Sequence, residues 1–336
     1  MKILIITPKR LGECLIITPC IRFLKKHVTQ LHINIITTSY LATEVFIYNN
    51  NIDTIILEPN IQELQQLSKI KYDHILFLNQ FDKYLLNYLP FKLFPKDYDT
   101  CLSELKMIAK HKSLYALNIC QDFLQQKYNC ITIIKITDIM YDLGLLGHNT
   151  MYLLFQNYDI KYKKDSVIVM HLGCHSLSKF KHKFYNKLLK RINKNERAYK
   201  LNNFIKLAKR LLKYNPSIKF LIIGSKNEKL LANKFCKEIS QAINLVNKLD
   251  IISTFKLFNF INLYIGNDTG ITHLALASTA KVVALYLNKH IVKTGACIYR
   301  HCEAKTAILH GDKLKNIKIS QVYQSCIRLL NEDSNY

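Results

Sequence analysis

Short apolar runs alternate with amphipathic stretches along most of the chain. The runs Ile3–Thr7, Val167–His171, Ile218–Ile223 and Leu263–Ile265 are strand-sized and rich in β-branched residues. A segment with helical spacing follows each of them, which is the pattern of buried parallel strands connected through helices. The spacing predicts strands near 2–7, 31–37, 54–57 and 72–78, with helices near 13–28, 40–50, 61–70 and 113–128. In the second half it predicts strands near 166–171, 218–223, 262–265 and 281–286, helices near 199–214, 226–240 and 269–278, and a last helix over Ile319–Leu330. In the helix after Gly12, Leu15, Ile16, Thr18, Ile21, Phe23 and Leu24 share a face opposite Arg22, Lys25 and Lys26. Pro19 interrupts that helix, tolerable only near its start or with a kink. Residues 79–112 and 129–165 carry no readable period, and the latter has room for an interdomain connection.

Composition narrows this picture. At 336 residues, two α/β domains of ordinary size are expected. No apolar run approaches the roughly 18 residues of a membrane span. Lys9, Arg10 and Glu13 interrupt the apolar start, against a signal peptide. The ten cysteines form no CxxC pair, which favours reduced thiols and a cytoplasmic setting. Lys and Arg number 48 against 24 Asp and Glu, a net charge of +24. Such a surface suits nucleic acid, anionic lipid head groups or phosphorylated substrates. A biased composition, rich in Lys, Ile, Asn and Tyr and without Trp, accounts for much of the excess, so charge alone names no partner.

Only nine glycines are present, so each should sit where backbone freedom or close approach demands it. Gly12, Gly173, Gly224 and Gly266 follow apolar runs, with Gly270 four residues further, at the strand ends where α/β sheets bind ligands. Gly266-Asn267-Asp268-Thr269-Gly270-Ile271-Thr272-His273 passes from strand to helix. Asp268 or Thr269 can cap that helix, and its free amides suit a phosphate or diphosphate. A plain cap with a packed His273 is the competing account. His171-Leu172-Gly173-Cys174-His175, with His182 near, offers zinc-ligand chemistry, but the spacing matches no established site and a strand-end loop is more economical. No nucleophile-elbow context supports Cys174 as a nucleophile. In Pro8-Lys9-Arg10-Leu11-Gly12-Glu13, Glu13 suits a general base beside anion-attracting Lys9 and Arg10, or simply a helix-start carboxylate.

Two of these blocks carry a family resemblance. The opening Met1–Pro19, with its Gly12-Glu13 and Thr18-Pro19 pairs, resembles glycosyltransferase family nine, the ADP-heptose:lipopolysaccharide heptosyltransferases. Gly266–Gly270 with His273-Leu274-Ala275 resembles that family's most specific signature, and Val282–Tyr286 and Thr294-Gly295 continue it in order. The resemblance spans about residues 1–78 and 166–296.

It implies a GT-B fold of two Rossmann-like doubly wound domains facing a cleft. The N-terminal domain, 1–160, would bind acceptor through Lys9, Arg10 and Gly12; domain 161–318 would bind nucleotide-sugar; a helix in 319–336 would pack back towards the first domain. Glu13 stands where the family has Asp and would be the catalytic base. Asp268, Thr269, Gly270 and His273 would hold the diphosphate, Gly173, Cys174 and Gly224 would line the donor site, and Glu228 would meet the ribose. The family's basic phosphate contact maps best onto Arg197, with Lys179 as the alternative. The implied activity is inverting, metal-independent transfer from an ADP-sugar such as ADP-heptose to a phosphorylated lipopolysaccharide core glycolipid. The implied protein is a cytoplasmic monomer, peripheral on the anionic inner face of the membrane, with no separate cofactor and no specific nucleic acid. The alternatives are another nucleotide-sugar on the same fold, or a catalytically degenerate basic protein that binds membrane or nucleic acid.

Overall fold

A computed structural model describes residues 1–8, 10–37, 39–77, 166–174, 195–288 and 305–331. These fall into two compact units, 1–77 in the first and 166–331 in the second. The predicted helix near 113–128, the readings of 79–112 and 129–165, and Thr294-Gly295 lie outside the described residues.

In the first unit, strands β1 (Lys2–Ile6), β2 (His32–Thr37), β3 (Thr54–Leu57) and β4 (His74–Phe77) form a parallel sheet in the order β3-β2-β1-β4. Ile3 to Ile6 are buried, as a strand covered on both faces requires. Helices α1 (Leu11–His27), α2 (Tyr40–Phe46) and α3 (Ile61–Lys69) connect the strands, and Asn60 with Glu63 closes a capping box on α3. Helix α1 runs unbroken through Pro19. Proline has no N–H for the carbonyl four residues back, but the Thr18 hydroxyl donates to that carbonyl, Leu15 O, at 2.9 Å. The Thr-Pro pair therefore keeps the helical hydrogen-bond ladder occupied. The helix also starts earlier than the spacing predicts, so Gly12 joins Glu13 in its first turn.

The second unit holds β5 (Val167–His171), β6 (Lys219–Ile223), β7 (Ala242–Asn244), β8 (Leu263–Asn267), β9 (Val282–Leu287) and β10 (Thr306–Gly311), all parallel, in the order β10-β9-β8-β5-β6-β7. Numbered within the unit, this is the doubly wound order 3-2-1-4-5-6. Helices α4 (Leu201–Tyr214), α5 (Lys229–Glu238), α6 (Ile251–Phe258), α7 (Gly270–Leu276) and α8 (Ile319–Asn331) complete it. Helix α4 buries Leu201, Phe204, Ile205, Leu207, Ala208 and Leu211, the i, i+3, i+4, i+7 stripe of a helix lying on a sheet. The sequence pattern did not predict β7, β10 or α6.

The last helix is part of the second unit. Its buried Val322, Cys326 and Leu329 join the apolar core beneath α4. The buried Lys281 ammonium donates to Leu329 O at 2.5 Å, satisfying a carbonyl near the helix end. An amphipathic stripe of this kind follows the nearest apolar surface, which here is its own sheet.

Candidate functional site

In an open doubly wound sheet, ligands bind beyond the carboxyl ends of the strands where the strand order reverses. In the second unit that point lies between β5 and β8, where His171 pairs in register with Gly266. On the other side of β5, His171 pairs with Ile223, the last residue of β6. Three loops therefore leave the sheet side by side: Leu172-Gly173-Cys174, Gly224-Ser225, and Asp268-Thr269.

Asn267 ties two of the surrounding segments together. It is fully buried; its Nδ2 donates to Gly173 O at 2.8 Å, and its Oδ1 accepts from Tyr199 N at 3.1 Å. Just before Tyr199, Arg197 Nη2 lies 3.0 Å from Asp268 Oδ2. Asp268 is buried while Arg197 is about one-third exposed, so the charge facing outwards is the guanidinium. The Asp268 amide is committed to Leu285 O at 2.9 Å. Asp268 thus serves to hold Arg197 and offers no amide to a ligand.

Thr269 caps α7, its hydroxyl accepting from Thr272 N at 3.4 Å. Thr272 Oγ1 donates to Asn267 O and lies 2.9 Å from Tyr264 OH. With the Thr272 hydrogen so placed, the tyrosine is the donor of the second bond. Burial pushes the Tyr264 phenol well above its ordinary range, keeping it a neutral donor.

Glu228 reaches back under these loops. It sits in a single helical turn, Lys226–Glu228, capped reciprocally with Ser225, whose N–H donates to Glu228 Oε2 at 2.6 Å. Its other oxygen lies 3.1 Å from His171 Nε2, both side chains being buried. Burial alone raises a carboxyl, but the His171 imidazole and the Ser225 groups outweigh it and bring Glu228 below its usual range. His171 Nδ1 then lies 3.3 Å from Thr269 Oγ1. A side chain at Gly173 would overlap the Glu228 carboxylate, and at Gly224, where φ is +154°, it would meet the same group. The two glycines make room for Glu228.

The second unit therefore gathers Gly173, Cys174, Arg197, Gly224, Glu228, Asp268, Thr269, Gly270 and His273 around neighbouring strand ends. Cys174 is buried and accepts from Asn195 Nδ2 at 3.3 Å. His273 is packed edge-to-face on Tyr286, and burial pushes its imidazole down against a smaller opposite effect of Asp268. Arg10 is the N-cap of α1, and Gly12 and Glu13 follow it at the carboxyl end of β1, the reversal point of the first sheet. Lys9, Lys179, His175 and His182 lie outside the described residues. His171, Asn267 and Thr272 are the members that sequence reasoning left without a role in this site. Among the described residues no group of three or more His, Cys, Asp or Glu could hold a metal ion.

Residues 149–324, just over half the chain, match the profile of glycosyltransferase family 9 (heptosyltransferase). The chain belongs to glycosyltransferase family 9. Solved structures of the family share the fold. E. coli ADP-heptose lipopolysaccharide heptosyltransferase II superposes with a TM-score of 0.64 at 14% identity, over 99% of this chain and 100% of that one. A family 9 glycosyltransferase from Veillonella parvula gives 0.64 at 16% identity, over 98% and 97%. E. coli heptosyltransferase WaaC with ADP gives 0.59 at 9% identity, over 99% of each chain. No curated protein matches the chain. This family 9 member has the GT-B class of fold, with parallel-sheet α/β units. Among the described residues, no helix is long and apolar enough to cross a membrane.

Proposed function

We propose that this glycosyltransferase moves a heptose or similar sugar from an ADP-sugar to a hydroxyl of a phosphorylated lipopolysaccharide or lipooligosaccharide core acceptor. The observation that carries the donor half is the Arg197–Asp268 pair beside Thr269 and Gly270 at the reversal point of the second sheet. A diphosphate placed there meets a guanidinium whose partner carboxylate is already neutralised. It also meets the first amides of α7, which have no acceptor within their own helix. In this reading Glu228, on the neighbouring loop, meets the ribose hydroxyls with the lone pairs left beyond its two bonds.

In this reading Glu13 takes the proton of the acceptor hydroxyl while that oxygen attacks the anomeric carbon. The bond from that carbon to the diphosphate breaks on the opposite face, so the configuration inverts and ADP leaves. Arg197 and the loop amides stabilise the charge that grows on the leaving diphosphate, a role that asks for no metal. The anionic inner face of the membrane, where a lipid-linked acceptor resides, suits the net charge of +24.

Differential scanning with ADP-sugars, UDP-sugars and single-stranded RNA tests the reading. Stabilisation by ADP-sugars above the other two is expected. No ADP-dependent shift, together with tight and salt-sensitive RNA binding, overturns it. Glu13→Gln should keep donor binding and lose transfer; unchanged turnover would remove Glu13 as the base.

A further inference from the structure

Lys and Arg make up one residue in seven of this chain, yet residues 27–68 contain neither. At the density of the whole chain, that stretch of 42 residues would hold six. It holds four acids instead, Glu44, Asp53, Glu58 and Glu63. Asp53 is paired with Lys25 at 2.8 Å, and Glu63 is taken up in the capping box of α3. Five large hydrophobic side chains are exposed among the described residues, and four of them, Tyr40, Ile47, Tyr48 and Leu57, fall in the same stretch. Loss of lysine and gain of exposed tyrosine and aliphatic surface are together the composition of a protein–protein contact.

These residues belong to two adjoining elements of the first unit. On α2 and the turn after it, Tyr40, Thr43, Glu44, Ile47 and Tyr48 recur at helical spacing and are exposed or half-buried. Val45, Phe46 and Asn49, on the other side, are buried. Helix α2 packs on α1 and β3, so its outer stripe runs beside that strand. Among the described residues β3 lies at the edge of its sheet, with β2 as its one neighbour. Thr54, Ile55, Ile56 and Leu57 carry no charge, and the first and last are exposed. Edge strands are ordinarily guarded against pairing by a lysine or a bulge. A chain with 48 Lys and Arg places none here.

We propose that the α2–β3 side of the first unit is a self-association face, on which a second copy of this chain docks across a two-fold axis. Chains of charge +24 repel one another, and two copies come together most readily where neither brings a cation. A two-fold axis apposes the same face of both copies, so the cation-free stretch meets itself. With the axis perpendicular to the sheet, β3 runs antiparallel to its own copy and each strand pairs the other's outward backbone groups. Both α2 helices then lie on the same side of the continued sheet, and their exposed Tyr40, Ile47 and Tyr48 close over the seam. An anionic bilayer attracts Lys and Arg, which this face does not carry, so charge favours a protein partner over lipid. The reversal point between β1 and β4 is two strands away from β3 and stays open.

Sedimentation velocity of the full chain, from low to high micromolar concentration, tests this. Wild type should pass from one to two chain masses and stop there. Dimerisation should strengthen as salt rises, because salt screens the repulsion between two positive chains while the apolar contact persists. Tyr48→Lys and Leu57→Lys, each at an exposed position and checked for folding by circular dichroism, should weaken association by about 100-fold or more, since each sets a cation against its own copy. Tyr214→Lys, at the exposed tyrosine outside the stretch, should dimerise as wild type does. A wild type that stays monomeric throughout overturns the proposal. So does a dimer that Tyr48→Lys and Leu57→Lys leave intact, which would place the contact elsewhere. Assembly that continues past two copies and dissolves in salt would mean a head-to-tail contact with a basic face, and also overturns it. Flotation of monomeric wild type with phosphatidylcholine vesicles, lost in Tyr48→Lys, would give the face to lipid instead.

Discussion

Arg197 Nη2 lies 3.0 Å from Asp268 Oδ2, across 71 residues of sequence, and brings a cation to the mouth of a loop whose nearest carboxylate is buried. Removing the arginine removes a phosphate partner and the ion pair that Asp268 makes with it. Arg197→Ala should weaken ADP-sugar binding by about 10- to 100-fold, the range expected for hydrogen bonds to charged groups. Adding Asp268→Asn to that variant should recover part of the loss, because the repulsion disappears with the carboxylate. Equilibrium binding of the four members of this cycle decides the matter. Equal losses in the single and double variants would show that Asp268 does not face the ligand.

The Thr18–Pro19 step makes a prediction independent of function. Thr18→Val removes the hydroxyl that occupies Leu15 O, at a cost of about 1 kcal/mol in the wild-type background. In a Pro19→Ala background residue 19 regains an N–H for the same carbonyl, and the cost should fall close to zero. Denaturant unfolding of the four chains measures the coupling. A cost that stays the same in both backgrounds would show that the hydroxyl does not substitute for the missing amide.

The sheets were legible because strands buried on both faces must be apolar throughout, and Ile3–Ile6, Val167–Met170 and Val282–Leu287 are. The elements missed are those that escape this constraint. β7 is three half-buried residues at an edge, and β10, at the opposite edge, is only partly buried. α6 is eight residues long, too few for its period to stand out, although Asp250 accepting from Ser253 N at 2.6 Å was a readable start signal. Of the site, the Gly266–Gly270 block was visible because its residues are contiguous. The His171–Glu228 contact was not, since it exists only because β5 and β6 are neighbours in the sheet. Strand adjacency is likewise what turns a histidine that read as a possible metal ligand into a partner of Thr269.

Asn267 shows how much of the site's shape depends on one amide. Its two bonds to Gly173 O and Tyr199 N are buried, and truncation strands both backbone groups. Asn267→Ala should therefore destabilise the protein by about 2–4 kcal/mol. It should also weaken ADP-sugar binding, because the Gly173 loop and the Arg197–Tyr199 segment lose their common anchor. Asn267→Asp should be worse at neutral pH, with a carboxylate facing the Gly173 carbonyl, and should recover in part when acidified. Thermal unfolding with and without ligand reads both effects. A wild-type melting temperature in Asn267→Ala would rule out this role.

Two buried groups predict how acid acts on the protein, and in which order. Burial lowers the His273 imidazole from 6.5, so the folded protein binds fewer protons than the unfolded chain once pH falls below that value. Its contribution to stability, intact above pH 6.5, should decline as pH drops towards the folded value. Burial opposes ionisation of Glu228, yet the His171 and Ser225 contacts bring it below 4.5. Its contribution is therefore present above pH 4.5 and is lost as pH falls through the lower folded value. Wild-type stability should thus fall in two stages on acidification. Replacing His273 with Leu should flatten the first stage, and Glu228→Gln should flatten the second while lowering stability at neutral pH by about 2 kcal/mol, since one amide oxygen cannot serve both His171 and Ser225 as the carboxylate does. Urea unfolding across the pH range resolves the stages. A profile for Glu228→Gln parallel to wild type in acid would show that the carboxylate is not held ionised by its partners.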